Sequence, residues 1–276
     1  MKINLTKKIP SREGTDLSKN AKRFFDKSGV GLVWFIALSL FSPLPTSAQT
    51  SPSGKAILQK IDDNMSSSSR IYTSQMIVHG RRADRIMESK SWSIGEDKAF
   101  TEYTAPAREK GTKMLKLDDK LWMYSPDTDR TIQISGHMLR QSVMGSDLSY
   151  EDMMEDKKLQ DSYAAVIVAE DSMDGRPTWV LELTATEKDL AYHMRKLWVD
   201  KVRNIPLRQE LYAKSGTLLK ELELKDVVKI DNRWFPQRMI FKDVLKKGKG
   251  TEFVFLDIQF DQPIPDYIFS KAALRK

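Results

Sequence analysis

The stretch TEFVFLDIQF, residues 251–260, decides the fold. Side chains on a strand alternate, so Phe253 and Phe255 fall on one face and Val254, Leu256, Ile258 and Phe260 on the other. Neither face is polar. A strand of this kind has core or helix against one side and a second apolar space against the other, rather than water.

The same period of two recurs on both sides of this stretch, now with one polar face. WVLELTAT (179–186) sets Trp179, Leu181, Leu183 and Ala185 against Glu182, Thr184 and Thr186. LRQELY (207–212) sets Leu207, Gln209 and Leu211 against Arg208, Glu210 and Tyr212. LLKELELKD (218–226) sets Leu218, Leu222 and Leu224 against Leu219, Glu221, Glu223 and Lys225. Such alternation is that of half-buried antiparallel strands. Further candidates are IYTSQMIVH, IMESKSWSI, KAFTEYTA, TKMLKL, LWMYS, RTIQIS, YAAVIVAE, RKLWVD and QRMIFKDV, parted by breaks such as SPDTD, MDGRP, KSG and KKGKG. The count expected is 11–12 strands, with no βαβ alternation and no repeat.

Helices are few. SGKAILQKIDDNM (53–65) carries Ile57, Leu58, Ile61 and Met65 on one stripe behind a Ser53 cap, and SSSS ends it. A second is expected after Ser149, with Glu151 and Asp152 in its first turn. A short third begins near Phe269. Two or three helices cannot cover one face of so large a sheet. The sheet therefore either closes or curves into a half-open antiparallel β-barrel, lidded by those helices around an apolar groove.

The amino terminus reads as an export signal. A basic stretch from Lys19 to Lys27 precedes the uncharged GVGLVWFIALSLF and then SPLPTSAQT, which predicts cleavage near Ala48 and a mature domain over 49–276. Thirteen apolar residues reach only about 20 Å, short of a hydrocarbon core of about 30 Å. The chain has no cysteine, hence neither a disulfide nor an acylated cleavage site. Residues 1–48 hold eight Lys/Arg and three Asp/Glu, leaving 37 basic and 35 acidic residues in the rest. That balance argues against nucleic acid as a partner, because a nucleic-acid binder concentrates positive charge in its folded part.

The chain resembles the LolA-like outer-membrane lipoprotein-sorting family from Ile71 to its end. The resemblance rests on LWMYSPDTDRTIQI, SVMGSDLSYEDM, the run from Arg195 to Asp243 and IPDYIFSKAAL. Its more specific parts are the MGSD-x-SYED block (144–152) and the W-x-P-x-x-M block of Trp234, Pro236 and Met239. It implies an incomplete antiparallel β-barrel lidded by helices, with a hydrophobic cavity for lipid or acyl chains. No individual functional position of a lipoprotein carrier is carried over.

VMGSDLSYEDMMED (143–156) poses the enzyme question, with Asp147, Glu151, Asp152, Glu155 and Asp156 in fourteen residues. The acids follow no EF-hand spacing, and His137 is the one histidine near them in sequence. The reading is an acid-capped amphipathic lid helix with solvated acids. Replacing Glu151, Asp152 and Glu155 by their amides is then expected to cost at most about 1 kcal/mol. His79, His137 and His193 stand apart, and neither a G-x-S-x-G elbow nor a P-loop occurs. No enzyme, cofactor or metal site is expected.

The expected function is a periplasmic carrier of lipid or lipoprotein acyl chains, acting as a monomer between an inner-membrane transporter and an outer-membrane acceptor. An envelope sensor or transporter-accessory protein on the same scaffold is the alternative. The candidate cavity residues are Trp92, Met114, Trp122, Met144, Leu148, Met153, Met154, Trp179, Trp198, Phe253 and Phe255. Methionine suits such a cavity because it is flexible and polarizable. The basic loops RRADR (81–85) and KKGKG (246–250) are solvated hairpin ends, or contacts to lipid phosphates.

Overall fold

Each alternating segment becomes a strand, thirteen among the described residues, one more than the upper expectation. The computed structural model describes residues 52–276 apart from Asp156 and Asp189. The expected leader and its cut near Ala48 lie outside the described residues, as does Asp156 of the acidic stretch. The strands are β1 (Ser69–Val78), β2 (Arg85–Ile94), β3 (Lys98–Ala105), β4 (Lys113–Leu117), β5 (Lys120–Ser125) and β6 (Arg130–Ile134). Then follow β7 (Tyr163–Met173), β8 (Arg176–Ala185), β9 (Met194–Asp200), β10 (Pro206–Tyr212), β11 (Leu218–Ile230), β12 (Arg233–Asp243) and β13 (Thr251–Phe260).

All thirteen form one sheet in the order β6-β5-β4-β3-β2-β1-β13-β12-β11-β10-β9-β8-β7. Each strand pairs with its neighbours in sequence except across the β6–β7 connection, and β1 pairs with β13. Only β6 and β7 are edges, so the structure is a meandering antiparallel barrel left open at one seam. Two-residue turns drive the meander. Asp118, Asp174 and Asp231 open three of them at φ of 51°, 50° and 52°, a left-handed conformation that a short polar side chain tolerates.

The register of TEFVFLDIQF departs from simple alternation. Thr73 faces Asp257 while Ser74 faces Phe255, leaving Leu256 as the extra residue of a bulge. The bulge reverses the alternation beyond it and brings Phe260 to the face of Phe253 and Phe255. The Phe235 ring then meets Phe255 at 5.0 Å and Phe260 at 5.3 Å. The sequence had placed Phe260 on the opposite face.

The inner face is covered in two places. Helix α1 (Gly54–Met65), capped by Ser53 accepting from the Ala56 amide, buries Ile57, Leu58 and Ile61 on Tyr163, Leu181, Leu183, Leu197 and Val199. Its approach is close: a β-carbon on Gly54 would lie 2.4 Å from the Ala165 carbonyl oxygen. Across the same face, the chain between β6 and β7 lays Val143, Leu148 and Tyr150 on Met76, Met87, Tyr103, Met114, Leu121 and Ile134. The outer face of β3–β5 buries Phe100, Leu115 and Trp122 under Phe269 and Leu274. The C-terminal piece is two 3-10 turns, Asp266–Ile268 and Ala273–Arg275, rather than the expected helix from Phe269.

Candidate functional site

The segment joining the two edge strands crosses the open seam and serves as a lid. It runs through 3-10 turns at Gly136–Arg140 and Val143–Gly145 to α2 (Tyr150–Met154), then α3 (Leu159–Ser162). Ser149 caps α2 as the sequence requires, in a reciprocal box with Asp152. The helix is only five residues long and stops well before Leu159, which begins α3 instead.

The acids of the lid divide. Glu155 is exposed and Glu151 half-exposed, as the sequence reading expects, whereas Asp147 and the Asp152 side chain are withdrawn from water, which corrects it. Asp152, its side chain 7% exposed, accepts from the Ser149 amide at 2.6 Å, the Ser149 hydroxyl at 2.8 Å and the Tyr192 hydroxyl at 2.5 Å, and it pairs with Lys220 of β11. Glu155 pairs with Arg195 of β9. Asp147 accepts from the Thr251 hydroxyl at 2.9 Å and from the Asp243 amide at 3.0 Å. The reason is the brevity of α2. A one-turn helix cannot hold a separate polar face, so Asp152 within it and Glu155 just after it turn to cations rising from the floor.

Those cations are themselves buried. Arg195 lies within 4.8 Å of the Tyr163 ring and 5.5 Å of the Tyr192 ring, and its Nε has no hydrogen-bond partner among the described residues. Burial pulls its guanidinium down to about 10, against the opposing pull of the Asp152 carboxylate. On the far side of the seam, Lys116 of β4 donates to the Met154 carbonyl at 3.0 Å, and the Tyr150 hydroxyl reaches Met123 Sδ of β5 at 3.6 Å. The lid is thus pinned to both halves of the sheet. Beside it opens a groove of about 470 Å³, walled by Ser142, Ser149, Tyr192, Lys220, Asp243 and Lys246 among others.

Comparison with known proteins agrees with this architecture. A family model described as "-like: Uncharacterized protein" matches residues 95–276. A domain from Vibrio parahaemolyticus named for outer membrane lipoprotein sorting is 25% identical, with a TM-score of 0.71 over 81% of this chain and 98% of that one. A DUF1329 family protein from Desulfovibrio piger is 26% identical, with a TM-score of 0.72 over 80% and 97%. A LolA superfamily protein from Nitrosomonas europaea is 25% identical, with a TM-score of 0.68 over 81% and 100%. The chain belongs to this LolA-like family. No curated protein matches it.

In this LolA-like protein the candidate residues divide by face. Met114, Met144, Leu148, Met153, Met154 and Phe253 meet in the cluster under the lid. Phe255 extends the same floor, its ring 5.1 Å from Phe253 and 5.2 Å from Tyr72. Trp179 lies beside α1, with Lys201 Nζ 3.7 Å above its ring. Trp92 and Trp122 pack on the outer face with the C-terminal turns. Trp198 also faces outward, donating to Asp171 and stacked by Lys196 and Arg208. Sequence reasoning missed Arg195, Lys220 and Tyr192. The first two carried a signal: each is a cation at an inward position, Lys220 on the leucine face of LLKELELKD and Arg195 two residues before Leu197. Among the described residues no three His, Asp or Glu side chains gather as a metal site. What the LolA-like site offers is an adaptable apolar floor, a removable cover and a buried ionic latch.

Proposed function

We propose that the protein is a non-enzymatic periplasmic carrier that binds the acyl chains of lipids or lipoproteins beneath its lid and delivers them toward the outer membrane. The observation that carries this reading is the composition of the lid contact. Met76, Met87, Met114 and Met123 of the floor face Met144, Met153 and Met154 of the lid. Thioether side chains repack at small cost, so the same surface receives either the lid or a chain of variable shape. Exposing a CH₂ costs about 0.8 kcal/mol, so a sixteen-carbon chain resists aqueous transit by about 12 kcal/mol. A protein surface that replaces the membrane removes that barrier without covalent chemistry. The similar domain named for outer membrane lipoprotein sorting and the LolA superfamily protein support the same reading.

In this account the leader is cleaved near Ala48 on export, and the mature chain acts as a monomer. It takes its cargo from an inner-membrane transporter and yields it to an outer-membrane acceptor. The test is organic extraction of the envelope-purified protein, followed by mass spectrometry and N-terminal sequencing. Acyl lipid recovered at near-stoichiometric amounts, on a chain beginning near Gln49, is the expected result. An empty protein that also ignores a fluorescent fatty acid would overturn the reading in favour of a sensor or transporter-accessory role.

A further inference from the structure

The latch has an asymmetry that bears on what is carried. Its cations, Lys220 and Arg195, stand on sheet strands with side chains only 10% and 6% exposed. Their counter-charges, Asp152 and Glu155, both belong to the lid. Among the described residues, no carboxylate of the sheet forms an ion pair with either cation. Lifting the lid removes both carboxylates together and leaves Arg195 and Lys220 without their ion-pair partners beside an apolar floor. Asp243, across from Lys220 on β12, is the nearest acid that stays on the sheet. A chain that refills the floor buries both cations again, which is disfavoured without a replacement anion. The 470 Å³ groove leads to this point: Lys220 and Tyr192 form part of its wall, with exposed Arg140, Lys188 and Lys214 around it.

We propose that the cargo is an anionic amphiphile whose head takes the place of Asp152 on Lys220 and Tyr192, next to Arg195, while its chain takes the place of the lid methionines. The lid carboxylates then act as built-in stand-ins for the ligand head. An uncharged acyl molecule pays the cost of unpairing the floor, whereas an anionic one restores each contact. The Tyr192 hydroxyl, which now donates to Asp152 at 2.5 Å, donates equally to a carboxylate or a phosphate oxygen. This inference rests on the carrier reading above and adds the charge of the head group to it.

Competition against a bound fluorescent fatty alcohol, using the mature chain, tests it. Palmitate, dioleoyl phosphatidylglycerol, uncharged 1-hexadecanol and inorganic phosphate serve as competitors. At least one of the two anionic lipids should bind about tenfold or more tightly than hexadecanol, and which one does so identifies carboxylate or phosphate as the head. Lys220→Gln should abolish that preference. Asp152→Asn should widen it, because the built-in competitor is gone, and this opposite sign keeps the test valid if the Lys220 variant fails to fold. Equal binding of hexadecanol and both anionic lipids, an unchanged preference in Asp152→Asn, or inorganic phosphate binding as tightly as the lipids would each overturn the inference. Equal binding leaves the carrier reading intact, whereas failure of every lipid to bind removes both.

Discussion

Asp152→Asn probes the latch most sharply. The amide preserves shape and one acceptor for Ser149 or Tyr192 but leaves the buried Lys220 ammonium without its counter-charge. Breaking one side of a buried pair costs about 3–5 kcal/mol, far above the roughly 1 kcal/mol that capping and dipole effects alone allow. At about 2–4 °C per kcal/mol for a domain of this size, a loss of about 3 kcal/mol lowers Tm by about 6–12 °C. The lid can also undock locally, which caps the global loss at the free energy that holds it down. The assay is therefore paired: thermal unfolding, and amide hydrogen exchange across residues 143–155. Glu151→Gln is the control, since Glu151 is half-exposed and its change should stay within about 0.5 kcal/mol. If Asp152→Asn melts with the control and its lid amides exchange no faster than wild type, the latch is not what holds the lid.

Gly54→Ala sets a β-carbon 2.4 Å from the Ala165 carbonyl oxygen, and overpacking of this kind costs about 1–3 kcal/mol. A melt should show a lower Tm despite the gain in helix propensity, and a higher Tm would refute the close approach of α1 to β7. Met153→Asp or Met154→Asp sets a carboxylate against the apolar floor. Fluorescent fatty acid binding should fall in at least one of the two while the sheet stays folded, whereas a large Tm loss with unchanged affinity would mark the helix as purely structural. Asp200 is the acid-sensitive group of the β9–β10 turn. Burial would raise its pKa, but the hydrogen bonds from Arg176 and the Arg203 and Val202 amides outweigh that and hold it below 3.8. Its stabilisation is present above that value and is lost as pH falls through the lower folded pKa, so Asp200→Asn should flatten the acid limb of stability in denaturant melts below about pH 4.

The strands were legible because period-two alternation reports burial directly, as in WVLELTAT and LLKELELKD; the shortage of helix left a closed or a half-open barrel, and the family resemblance pointed to the half-open one. The cap at Ser149 was legible because capping is local. The side chains that meet that helix were not. Which cations receive Asp152 and Glu155 depends on β9 and β11 lying opposite the lid, a long-range fact that no local window contains. The tryptophans misled for a related reason: Trp92, Trp122 and Trp198 are as apolar as the floor residues but occupy the alternate positions of their strands, facing outward. Phe260 was assigned to the wrong face because a single extra residue, Leu256, resets the alternation of its strand. Lys220 and Arg195, cations at positions where their strands otherwise turn leucine inward, were the visible clues that the floor bears charge.

Hydrogen exchange with and without a long-chain acyl ligand tests most directly whether acyl chains displace the lid from the inner face. On saturation with palmitate or hexadecanol, amides of residues 136–155 should lose protection as the lid is displaced, while those of β12 and β13 beneath Phe235, Phe253 and Phe255 should gain it. Exchange unchanged in both regions at saturating ligand, or a change confined to the outer face around Phe100 and Trp122, would contradict binding beneath the lid.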